Sequence, residues 1–240
     1  MDQRHVFREA AREQGLPDDL IDRWLQHSRP RTELTRDGDG PIAGRFGGRP
    51  ALPEDVAWPD GQVHLVTVDL AALPAGSHDL GLPADGTLIL FSEMDMCPDE
   101  STLLHIPAGT AVQDRTDHDH HVFPPFPLHA RTGWSVPQDP GLDLPDDVEE
   151  AFTEATDALS TDDDTLFTIG GHGDVATSGV GHPVQSPATE TLIAQLFLPS
   201  SLVDDAFGGA DWWHLSAVLD TPDLPARRFH LTRFIPDWLG

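Results

Sequence analysis

The sequence predicts a mainly β protein with an α+β character, its helices confined to the N-terminal end and the periphery, and three observations carry that prediction. Up to His27 the apolar residues recur at helical spacing, whereas beyond residue 40 they cluster in short β-branched runs separated by Gly, Pro and Asp turns. Two Gly-Gly pairs, Gly47-Gly48 and Gly170-Gly171, each precede two strand-like runs, at a spacing of about 125 residues. One later segment, opened by Pro145-Asp146-Asp147, returns to a helical period.

Asp2 is placed to cap a first helix whose Val6, Phe7, Ala10, Ala11 and Gln14 share one side, and Gly15 supplies the left-handed stop. Pro17 suits the start of a second, in which Leu20, Ile21, Trp24 and Leu25 repeat the spacing. Together they form a helical hairpin, read as an N-terminal unit over residues 1–36 packed on a β domain over 37–240. Residues 29–40, rich in Pro, Gly and mixed charge, read as a linker. Strands are expected at 62–70, 86–91, 103–106, 120–123, 128–134, 192–198, 212–219 and 229–234. Val148, Ala151, Phe152, Ala155 and Leu159 mark the later helix, with acids at its positive end. The repeated Gly-Gly pairs suggest two similar β units about a pseudo-dyad, with glycine where a side chain cannot fit.

Charge narrows the function classes. The 240 residues carry 41 Asp and Glu against 14 basic residues, all Arg, for a net charge of −27. Lys, Tyr and Asn are absent, as a GC-rich genome or a salt-adapted protein would have it. Nucleic acid and anionic membrane surfaces need cationic contacts, so neither is an expected partner. Between Arg131 and Arg227 there is no basic residue. Such a run makes either a solvated face or a docking face for a basic protein. Cys97 is the only cysteine, the first residues lack an apolar signal core, and no apolar run approaches the roughly 20 residues of a membrane span, which together suggest a reducing cytoplasm.

The string Phe46-Gly47-Gly48-Arg49-Pro50-Ala51-Leu52-Pro53, then Trp58-Pro59, His64-Leu65-Val66-Thr67-Val68-Asp69-Leu70 and Leu82-Pro83-Ala84-Asp85-Gly86-Thr87, resembles the YwqG-like family of bacterial proteins. Ile169-Gly170-Gly171-His172, Pro183-Val184-Gln185, Leu192-Ile193-Ala194-Gln195-Leu196 and Asp223-Leu224 with Phe229 extend the resemblance over residues 40–235. The resemblance implies a β roll with added helices and, the family being uncharacterised, transfers no catalytic residue. Thr67 stands where the family commonly has Gln, and Phe207-Gly208-Gly209-Ala210-Asp211 departs from its Gly-Asp pair. Gln185 and Gln195 keep the pattern, as ligand-binding positions or as buried amides tying backbone together.

Few constellations offer chemistry. Asp117, His118, Asp119, His120 and His121 are spaced so that alternate side chains of an extended segment converge on a divalent ion, with His172 or His182 as a further ligand. The same residues equally suit a solvated turn. The glycine-rich segment 170–181 lacks the Lys and helix start of a phosphate loop, Ser178 lacks a nucleophile elbow, and Cys97 sits among acids that oppose thiolate formation. No catalytic set emerges and no cofactor is expected. The sequence therefore favours a non-enzymatic interaction module for a basic protein, in its specific form an immunity-type inhibitor. The alternatives are a metal-dependent enzyme or sensor using His118, His120 and His121, and a small-ligand site between the β units near Gln185 or Gln195.

Overall fold

The computed structural model of the chain describes residues 2–94, 100–115, 121–138, 141–157, 159, 164–173, 184, 186, 188–202 and 212–239. Helix α1 (Gln3–Glu13) begins where Asp2 accepts the Arg4 N–H at 3.0 Å and ends before Gly15, whose φ of +78° reverses the chain. Helix α2 (Asp18–Leu25) follows Pro17, and helix α3 (Asp146–Asp157) follows Pro145. Phe7, Trp24 and Phe152, one from each helix, stack with centroids 4.1 to 6.0 Å apart, and the Trp24 indole donates to the Pro137 carbonyl at 3.0 Å. The apolar stripes of the hairpin thus bury against α3 and the body of the protein.

Among the described residues twelve strands occur, in chain order β1 (Arg29–Thr35), β2 (Ile42–Phe46), β3 (Ala51–Leu52), β4 (Val63–Asp69), β5 (Thr87–Ser92), β6 (Ser101–Ile106), β7 (Gln113–Asp114), β8 (Phe126–Ser135), β9 (Thr165–Gly170), β10 (Glu190–Pro199), β11 (Trp212–Asp220) and β12 (Arg233–Leu239). Ten of them make one antiparallel sheet in the order β12-β11-β10-β9-β1-β8-β2-β4-β5-β6, while β3 and β7 pair separately. The expected mainly β fold is the observed one.

Three local expectations are corrected. Residues 29–35, expected as linker, form the central strand β1, because Arg31 and Glu33 project together on one face and neutralise each other while Leu34 enters the core on the other. The described part of 120–123 is not a strand; Pro124 and Pro125 follow it and have no N–H for a ladder. Phe229–Leu231 is a short 3-10 turn, and the strand starts only at Arg233.

The sheet carries the predicted pseudo-dyad with an exchange of strands. The meander β2-β4-β5-β6 lies on one side of β8, and β9-β10-β11-β12 lies on the far side of β1. Each unit's first strand, β1 or β8, therefore pairs with the other unit's meander. Thr35 faces His129 in the β1–β8 ladder. The operation exchanging those two residues carries Gly47-Gly48 onto Gly170-Gly171, all four with φ between +63° and +77°. It also superposes irregularities of register. Ala43 bulges from β2 as Leu166 does from β9, and Leu65 from β4 as Ile193 does from β10. By the same registers Thr67 corresponds to Gln195 and Ile89 to Ser216. One apolar cluster spans both units, Phe46, Val66 and Leu90 from one with Ile169, Leu196 and Leu215 from the other. The sheet curls far enough that His105 of edge strand β6 meets Phe229, in the turn before the opposite edge, at 5.3 Å.

Candidate functional site

The residues singled out in the sequence do not converge. His118, His120, Gln185 and Cys97 lie outside the described residues, as do His182, the 207–211 segment and most of the glycine-rich segment. His121 is exposed, its ring edge-on to Phe123 at 4.7 Å. Among the described residues no group of three or more His, Cys, Asp or Glu is placed to hold a metal ion. His172 fastens one Gly-Gly turn to the hairpin: its N–H donates to Ser135 Oγ at 2.7 Å, and its Nε2 lies 2.7 Å from the His27 carbonyl. A carbonyl only accepts, so Nε2 carries the proton.

Gln195 does sit in a polar cluster. It is 1% exposed on β10, and its Nε2 lies 2.9 Å from His214 Nε2 and 2.9 Å from Ser216 Oγ, both on β11. The amide nitrogen only donates, so His214 Nε2 is the acceptor and the imidazole proton is on Nδ1. The His214 ring stacks on Phe197 at 4.6 Å. Each amide hydrogen has an internal taker, which makes Gln195 a strand-to-strand tie.

The corresponding place in the first unit is built differently. Thr67 lies 2.8 Å from Nε2 of His64, whose Nδ1 lies 2.9 Å from the Gly48 carbonyl. With Nδ1 donating to that carbonyl, Nε2 of the neutral ring accepts the Thr67 hydroxyl proton, so both ring nitrogens are satisfied in the neutral imidazole. Burial, aided by the nearby Arg45 charge, lowers the His64 pKa to about 4. Thr67 is thus the hydroxyl that holds this histidine, and His64 in turn holds the first Gly-Gly turn.

Arg45 neighbours Thr67 across the β2–β4 ladder. Its Nη2 donates to the Arg49 carbonyl at 2.7 Å, Arg49 donates to the Arg115 carbonyl at 3.1 Å, and Arg115 reaches the carbonyls of Pro53, Glu54 and Val56. These guanidiniums each donate through Nη atoms to loop carbonyls, while the buried Nε of Arg45 and of Arg115 meet no hydrogen-bond partner among the described residues. Beside them opens a groove of about 400 Å³ lined by Ile42, Gly44, Arg45, Ala51, Thr67, Asp69, Thr87, Ile106 and Val112. Ile42 is 61% exposed and Val112 47%.

Between the units, Glu33 is gripped by Arg31 at 2.9 Å and Arg131 at 2.7 Å. With its side-chain amide oriented to satisfy both neighbours, Gln3 of α1 accepts from Arg31 and donates to the Trp134 carbonyl, closing the helix over this polar seam. Sequence reasoning missed His64, His214 and Glu33. Aligning the two Gly-Gly units register by register would have paired Thr67 with Gln195 and drawn attention to the histidine beside each. No known protein family matches the chain, and no curated protein matches it.

Proposed function

We propose that this chain is a non-enzymatic interaction module of YwqG-like type whose partner is a basic protein, in its specific form an immunity-type inhibitor that occludes a cationic site. The observation that carries the reading is how the scarce cations are used. Carboxylates within the chain take Arg4, Arg8, Arg12 and Arg29 near the hairpin, and Arg228 and Arg233 near the end. Glu33 takes Arg31 and Arg131, loop carbonyls take Arg45, Arg49 and Arg115, and Arg36 lies over the Phe126 ring. With these groups committed internally, the surplus of −27 is left to solvent and to partners.

A field of that sign accelerates encounter with a basic protein and repels nucleic acid and anionic membrane. A mainly β fold with peripheral helices is what the resemblance implies, which is why the YwqG-like type is part of the proposal. Affinity capture from native cell extract at low and then high salt, with metal analysis of the same purified protein, tests it. A basic protein retained in stoichiometric amount at low salt and released at high salt is expected. Recovery of the chain alone, with about one equivalent of bound metal, would overturn it in favour of the metal-dependent alternative.

A further inference from the structure

We infer that the basic partner docks in the groove between Ile42 and Val112, inserting an aliphatic side chain between these two and placing a cationic side chain on Asp69; the inference rests on the binding function proposed above. Only three large hydrophobic side chains are strongly exposed among the described residues, Ile42, Val112 and Leu231, and two of the three border this one groove. Scattered singly, exposed apolar residues carry no message; paired on the walls of a concavity, they expose area that association would remove from water. Neither side chain belongs to a buried apolar cluster of the described residues; Ile42 opens β2 and Val112 precedes the two-residue strand β7.

Charge decides which occupant the groove suits. Asp69 lines it and is exposed, and exposed Asp39, Asp85 and Asp114 lie within three residues of lining residues Ile42, Thr87 and Val112. Arg45 is the groove's cation, and it is turned onto the Arg49 carbonyl. Apolar walls with Asp69 on the lining, and further exposed acids close by in the chain, fit a segment alternating aliphatic and basic side chains better than an acidic or purely apolar one. The volume, about 400 Å³, accepts one or two large side chains and not a whole domain.

The test uses the full chain and a fluorescent peptide alternating Arg and Leu, compared with one alternating Arg and Ser, titrated by anisotropy at low and high salt. Wild-type protein is expected to bind the Arg-Leu peptide more tightly and to release both as salt rises. The double variant Ile42→Ser, Val112→Ser should weaken the Arg-Leu peptide about tenfold and remove its advantage over Arg-Ser. Asp69→Asn keeps an acceptor for the Ala71 N–H that Asp69 now caps, so it should fold, and it should reduce the salt dependence. Leu231→Ser, and Glu150→Gln with Glu154→Gln on α3, should bind as wild type. Groove variants that bind like wild type, while the α3 variant loses affinity, would sink the groove assignment and leave the acidic-module function standing. A wild-type protein that binds neither peptide would overturn both.

Discussion

His64 concentrates much of the chemistry that this chain keeps inside. Its folded pKa of about 4 lies below the ordinary value of 6.5, so the unfolded chain binds the extra proton between those values. Stability from this group is therefore complete above about pH 6.5, falls as pH drops, and levels off below about pH 4, a loss of about 3 kcal/mol at most. Urea titrations across that window should show the slope, to which His78 and His105, also lowered by burial, add, and His64→Gln should reduce it; an unchanged slope would refute the neutral, doubly bonded imidazole. The paired glycines make a second prediction. At Gly47 an added Cβ would lie 2.8 Å from the Phe123 carbonyl oxygen at φ +63°, and at Gly171 it would lie 2.6 Å from Ser135 Oγ at φ +77°. Either Gly→Ala change should cost about 1–3 kcal/mol in chemical denaturation. The same change at Gly76, where nothing lies within 4 Å but φ is +74°, should fall near the lower end.

At the scale of elements, the hairpin and β1 are tied to the body in two ways. The aromatic stack of Phe7, Trp24 and Phe152 holds α1 and α2 to α3, with Trp24 2% exposed. Trp24→Ala should cost about 3–5 kcal/mol and leave the indole's carbonyl acceptor at Pro137 unpaired. Proteolysis between α2 and β1 would then become faster than in wild type if the hairpin releases first. The polar seam behaves differently. Glu33 is 3% exposed between two guanidiniums, and Glu33→Gln removes the charge that neutralises them, costing about 3–5 kcal/mol. Replacement of Arg31, Glu33 and Arg131 together by apolar residues of similar volume should be less damaging than Glu33→Gln alone, because no uncompensated charge is left. Thermal melts of the two variants decide between them.

Over the whole molecule the governing quantity is the charge of −27. Self-repulsion of that size opposes the compact state and is screened over about 10 Å at 0.1 M salt. Raising sodium chloride should therefore raise the melting temperature while weakening capture of a basic partner. A melting temperature that falls with salt would mean that the internal ion pairs, rather than the surplus acids, dominate the electrostatics.

Much of the fold could be read from the chain because it is encoded locally. Helical spacing with Asp2 and Gly15 marked α1, β-branched runs marked β4 and β5, and the repeated Gly-Gly pairs marked a duplication that the bulges at Ala43 and Leu166 bear out. Net charge, and with it the class of partner favoured, was also a property of composition alone. What only the tertiary structure decided was which strand lies beside which. The exchange of β1 and β8 between units, the burial of Arg31 and Glu33 in residues that resembled a linker, the Thr67 hydroxyl on His64, and the placing of Ile42 and Val112 on one groove all depend on pairing across long stretches of chain. The physical reason is that a residue's local pattern sets its period and its face, whereas the neighbour that meets that face is selected by the register of the entire sheet.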